Sequence, residues 1–128
     1  MARVTGIGGV FVRSHDPAAL AAWYAKHLGV PTERYGGATF HWAEAGTAEQ
    51  PGSTTWAAFP LDTTYFGSPI QQAMINFRVD DLDGLLASLR AAGVTVLDDI
   101  EDSEYGRFGW CIDCEGNRVE LWEPATGM

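Results

Sequence analysis

The chain has 128 residues, 46% of them hydrophobic, with 17 acidic against 8 basic side chains and a formal charge of −9. That length suits one compact domain burying roughly two-thirds of its unfolded surface, with no disulfide or metal needed merely to fold. The absence of any Lys/Arg cluster argues against nucleic acid as a partner. No apolar run approaches the roughly 20 residues of a membrane span, and Met1 to Gly9 enters a strand pattern without a signal-peptide core. The expected setting is therefore cytoplasmic, with no membrane partner.

Ile7 to Arg13 reads as a first strand, closed by Asp16-Pro17, an N-cap followed by a favoured first helical residue. The helix runs to about Leu28 and ends at Gly29, with Leu20, Trp23, Tyr24, His27 and Leu28 recurring at helical spacing as its apolar face. A meander follows, with strands expected at Thr32 to Tyr35, Thr39 to Glu44 and Thr54 to Phe59, parted by Gly36-Gly37 and the polar loop Gly46 to Ser53. Leu61 to Gln72 forms a linker whose Tyr65 and Phe66 are expected to pack on the domain. Strand Met74 to Val79, a helix from Asp81 to Ala92 and strands Thr95 to Leu97, Phe108 to Ile112 and Arg118 to Trp122 complete the chain.

The second half repeats the first. Asp16 matches Asp80, Gly29 matches Gly93 and Val30 matches Val94, each at an offset of 64 (80 − 16, 93 − 29, 94 − 30). The expected organisation is a single domain over 1–128: module one about 5–60, linker 61–72, module two about 73–124. Each module is βαβββ. A duplicated unit must stack on its twin to cover its apolar face, which makes the hollow between the copies the place to look for function.

Strand alternation assigns the faces. Ile75, Phe77, Val79, Val119 and Leu121 pack beneath a helix, which leaves Met74, Asn76, Arg78, Arg118, Glu120 and Trp122 on the concave side. The offset of 64 adds Val10, Val12, Thr54, Trp56 and Ala58 from module one. The lining is then apolar and polarisable (Val10, Val12, Trp56, Met74, Trp122) with Asn76, Arg78, Arg118 and Glu120 as polar groups, the composition of a small-molecule pocket. The competing readings are that Trp56 and Met74 fill a collapsed core and that the arginines pair with rim carboxylates.

Cys111 and Cys114 form a lone Cys-x-x-Cys running into the turn Asp113-Cys114-Glu115-Gly116-Asn117, which reads as a buried thiol and a turn thiol rather than a metal or redox motif. Glu101 to Trp110 interleaves Tyr105, Phe108 and Trp110 with Gly106 and Gly109, suiting a flap over the pocket or a subunit interface.

The paired βαβββ units, the run Asp16, Trp23-Tyr24, Leu28-Gly29-Val30 and the closing Glu115-Gly116-Asn117-Arg118-Val119-Glu120-Leu121 together resemble the vicinal oxygen chelate superfamily, which includes glyoxalase I, extradiol dioxygenases and bleomycin-resistance proteins. The resemblance covers nearly the whole chain, with Cys114 standing where relatives commonly have proline. It implies an α+β fold in which tandem βαβββ modules form a curved, cup-like mixed sheet with helices outside, and it implies a homodimer. In metal-dependent members four side chains meet in the cup. The corresponding slots here are Gly9 or Val10, Trp56, Met74 and Glu120, so one carboxylate remains of the four; His41 is the one substitute ligand with a plausible position, and Phe40 and Trp42 are the expected inward side chains beside it. A lone carboxylate is a poor divalent site, so no metal and no cofactor is expected.

Three functions follow from that reading. The first is binding, or metal-independent conversion, of a small, partly aromatic molecule in the cup. The second is a metal-dependent glyoxalase-like lyase or dioxygenase using Glu120 with unrecognised ligands, and the third is sequestration of a cationic drug, as in the bleomycin-resistance group. Glu120 is the candidate catalytic residue: burial between Trp and Met walls would raise its pKa and suit it as a general base. The alternative is a retained carboxylate, ion-paired with an arginine and chemically idle.

Overall fold

A computed structural model describes residues 2–42 and 52–128. The elements run β1 (Val4–Ser14), α1 (Pro17–Leu28), β2 (Gly37–His41), β3 (Ser53–Pro60), β4 (Ala73–Val79), α2 (Leu82–Ala91), β5 (Glu101–Ser103), β6 (Gly106–Ile112) and β7 (Arg118–Pro124). The strands make one sheet in the order β2-β3-β1-β4-β7-β6-β5. Within each half the inner pair, formed by the first and last strands, is parallel (β1 with β3, β4 with β7), and the halves meet where β1 and β4 run antiparallel. The curled mixed sheet with two helices is the α+β architecture that the resemblance implies.

Each helix begins as its sequence dictates. Asp16 accepts from the Ala19 amide at 3.1 Å with Pro17 behind it, and Gly29 closes α1 in the left-handed conformation at φ 70°. Asp81 accepts from the Gly84 amide at 3.0 Å and caps α2. The second cap is therefore Asp81 and not Asp80, so the two helices start 81 − 16 = 65 residues apart. An odd offset in place of an even one moves every matched strand residue to the other face of the sheet.

The outer core lies between α2 and the sheet, where Leu82 and Leu86 meet Val79, Cys111 and Leu121. α1 is seated more lightly. Ala21 is its buried residue, Tyr24 packs on the Trp56 ring at 4.8 Å, and Trp23 and Leu28 from the expected apolar face are 51% and 63% exposed.

Two expected strands are absent. Residues 32–36 turn instead, with Gly36 at φ 87°, and Thr95 to Leu97 contribute a single bridge from Val96 to Cys111 while the edge strand forms at Glu101–Ser103. The strand expected to reach Glu44 ends at His41, and Glu44 and residues 46–51 of the polar loop lie outside the described residues. Among the described residues no helix is long and apolar enough to cross a membrane.

Candidate functional site

The concave face carries a second core, and the linker builds it. Arg13 projects from β1 and its guanidinium donates to the carbonyls of Leu61 (2.7 Å), Thr63 (2.8 Å), Ser68 (3.0 Å) and Gln71 (2.8 Å), gathering residues 61–71 around one cation. Gln71 fastens the far end, donating to the Arg118 carbonyl at 2.9 Å and accepting from the Arg118 amide at 2.7 Å. Held this way, Tyr65 and Phe66 turn inward. Phe66 is fully buried with Met74 and Trp110, and Phe11, Phe59 and Phe108 pack around them. Burying each such side chain is worth roughly 1.5–3 kcal/mol, so these residues form a stable plug at one end of the hollow.

Glu120 lies in the wall beside that plug, 1% exposed. Cross-strand pairing sets Asn76 of β4 and Trp110 of β6 opposite it. Asn76 Nδ2 donates to Glu120 Oε1 at 2.6 Å, Trp110 Nε1 donates to Oε2 at 2.9 Å, and the Tyr65 hydroxyl donates to the same Oε2. Burial pushes the carboxyl pKa up, and the three donors hold it down in part. Burial and the adjacent carboxylate also raise the Tyr65 pKa, which keeps that hydroxyl a neutral donor. Neutral donors thus stand where the counter-charge of an arginine was expected. Arg118 turns its guanidinium to the Tyr65 carbonyl at 3.3 Å.

Beyond Asn76 the hollow opens into a cleft of about 540 Å³. Its aromatic walls are Phe11, Tyr35, Tyr105, Phe108 and Trp122, with Phe108 stacked on Trp122 at 6.1 Å. Hydroxyls line one side: Thr39 sits 3.0 Å from Thr55 and 3.3 Å from the Tyr35 hydroxyl, with Ser53 nearby. Gly8 and Asn76 form part of the floor, and the exposed Glu33 and Tyr35 stand at the mouth. Trp122 is held edge-on by its Nε1 donating to the Tyr105 carbonyl at 2.8 Å.

Of the residues expected to bind a ligand, Asn76 and Trp122 line this cleft. Met74 is on the concave side but wholly buried in the plug, matching the collapsed-core reading. Arg78 is 4% exposed between the rings of Trp42 (5.3 Å) and Trp122 (5.4 Å), and it donates to the Met128 carbonyl at 3.0 Å. Val10, Val12 and Trp56 correct the expected lining: Val10 pairs with Trp56 and Val12 with Ala58 on the face that carries α1, as the Trp56–Tyr24 contact shows. Phe11 takes the concave place assigned to its neighbours. Phe108 and Trp110 belong to cleft wall and plug rather than to a mobile flap. His41 is exposed at the end of β2, and Phe40 is 43% exposed rather than inward.

Sequence reasoning missed Arg13, whose four-carbonyl grip has no pattern signature, and the hydroxyl row, which depends on module-one register. An N-cap match of Asp16 to Asp81 would have placed Phe11 correctly.

A divalent metal does not fit at Glu120. Both its oxygens are occupied by N–H and O–H donors, Gly9 and Met74 offer no hard ligand, and no group of three His, Cys, Asp or Glu is placed to hold an ion among the described residues.

Residues 9–122 match a family model described as a glyoxalase-like domain. No curated protein matches the chain. Among solved structures, a methylmalonyl-CoA epimerase from Mycobacterium tuberculosis is 24% identical with a TM-score of 0.64, over 95% of this chain and 89% of that one. A Streptomyces coelicolor methylmalonyl-CoA epimerase in complex with 2-nitronate-propionyl-CoA is 22% identical, TM-score 0.68, over 96% and 99%. A Mn(II)-bound glyoxalase from Novosphingobium aromaticivorans is 22% identical, TM-score 0.55, over 99% of this chain and 42% of that one. At these identities the structures share the fold alone.

Proposed function

The chain belongs to the glyoxalase-like domain family of the vicinal oxygen chelate superfamily, and from its own cleft we propose that it binds a small, partly aromatic molecule there without a metal. The observation that carries this reading is the cleft itself, about 540 Å³ with an aromatic wall built on the Phe108–Trp122 stack. That volume falls in the range of small-molecule sites, and its few polar atoms are fixed in place, which lowers the ordering cost of binding.

Glu120 orients the site instead of working as a base on the ligand. It is 1% exposed, both oxygens are engaged, and it does not itself line the cleft, so no ligand atom in the cleft meets it directly. Its part is to hold Asn76 and Trp110 in one geometry, as a supporting hydrogen-bond partner does in a preorganised site.

Titration of a library of one- and two-ring aromatics, followed by tryptophan fluorescence and thermal shift, tests the reading. Binders should quench Trp122, and Trp122→Ala should weaken them at least tenfold. A library without binders, or binding unaffected by Trp122→Ala, would overturn it.

A further inference from the structure

The amide of Asn76 can be oriented from its neighbours. Its Nδ2 faces the Glu120 carboxylate at 2.6 Å; the flipped amide would set two acceptors against each other, so Oδ1 points the other way. There it lies over Gly8, where any Cβ would collide with Oδ1 and come within 2.8 Å of Trp122 Cε3. The missing side chain at position 8 is what admits the amide and the indole edge together. Asn76 is 2% exposed, and its Oδ1 has no hydrogen-bond partner among the described residues. A buried acceptor left unmet is costly, and Gly8, Asn76 and Trp122 all line the cleft, so a guest can meet it.

Charge narrows the guest further. Among the described residues no Lys, Arg or His lines the cleft, the Glu33 carboxylate stands at its mouth, and the chain carries −9 overall. An anionic ligand would find no cation on the lining itself, since the nearby Arg78 lies buried over the Trp122 ring and donates to the Met128 carbonyl, whereas a donor-bearing or cationic ligand is drawn in.

We propose that the cleft is selective for an aromatic ligand bearing an amine or amide N–H, which donates to Asn76 Oδ1 while its ring lies along Phe108 and Trp122. This rests on the binding reading above and adds the chemical class of the guest.

Nuclear magnetic resonance titration of the whole chain with three ring-matched probes tests it: 2-phenylethylammonium, toluene and 3-phenylpropionate, reading the Trp122 indole and Asn76 amide resonances. The ammonium probe should bind about tenfold more tightly than toluene, with the carboxylate weakest, and Asn76→Leu should bring the ammonium probe down to toluene. Equal affinities, or the carboxylate binding best, would overturn the donor assignment and leave aromatic binding intact. An ammonium preference that survives in Asn76→Leu would move the selectivity from Asn76 to Glu33 and equally overturn it. Failure of all three probes to shift Trp122 up to millimolar concentration would overturn both readings. Should Asn76→Leu not fold, the ranking of probes on the native chain decides alone.

Discussion

Tyr65→Phe removes one hydroxyl and almost nothing else. The ring's packing survives, stacked on Phe59 at 5.6 Å and edge-on to Trp110 at 6.2 Å. Glu120 Oε2 keeps the Trp110 donor but loses the Tyr65 one, inside a site where the carboxylate is 1% exposed. A hydrogen bond to a charged group contributes about 1.5–3 kcal/mol and a neutral one about 0.5–1.5. The cost therefore depends on whether Glu120 carries its charge. Burial raises its folded pKa above the ordinary carboxylate value, so at intermediate pH the fold holds a proton that the unfolded chain has released. Its contribution to stability is full below the ordinary value and is lost as pH rises through the folded one. Removing Tyr65's donor raises the folded pKa further and extends that loss to higher pH. Urea unfolding of both proteins, followed by tryptophan fluorescence at about pH 4 and about pH 8, measures the difference. The variant is expected to lose about 1.5–3 kcal/mol near pH 8 and roughly 1 kcal/mol less than that near pH 4. Equal losses at both pH values, or none, would refute the carboxylate-centred account of the wall.

Gly8→Ala should destabilise the fold by about 1–3 kcal/mol, since its methyl displaces Asn76 or the Trp122 indole; it should also weaken aromatic ligands, with unchanged melting and affinity counting against the cradle. Arg13→Met should leave the sheet intact yet release the linker, seen as faster amide hydrogen exchange across residues 61–72 and a loss of about 1–3 kcal/mol in stability, since water can take over the more exposed of the four carbonyls; protection equal to the native chain would contradict it. The two thiols should separate under a thiol reagent. Cys114 is exposed and should react fast, while Cys111, buried and with its pKa raised by burial, should react only on unfolding. Two equally fast thiols would show that the outer core is loosely packed.

The fold was largely legible because duplication, caps and strand alternation are local signals. Asp16-Pro17, Gly29 and the paired apolar runs announced both modules, and Ile75, Phe77 and Leu121 fell on the helical side as their alternation required. The site was legible by halves. Module two's strands were read on their own alternation, so Glu120, Asn76 and Trp122 were placed correctly on the concave face. Module one was read through an offset anchored on Asp80, when the cap is Asp81, and one residue was enough to exchange Phe11 for Val10 and Val12. Irregular pairing between Val4 and Gly6 and between Ile7 and Gly9 removes the simple register that might have exposed the error. The linker was expected to pack, but its use of a single half-buried arginine is a three-dimensional arrangement among carbonyls, to which side-chain patterns are blind.

Tyr65 and Phe66 pack in the same cluster as Phe11 and Phe108, so behind those two walls of the cleft lies solid protein. A guest reaches solvent past the exposed lining residues Glu33, Tyr35 and Tyr105. Chemical extensions aimed at Phe11 and Phe108 will meet packed rings, whereas a tail aimed past the exposed rim residues can trail into solvent, so immobilising tethers and fluorescent tags belong on that side.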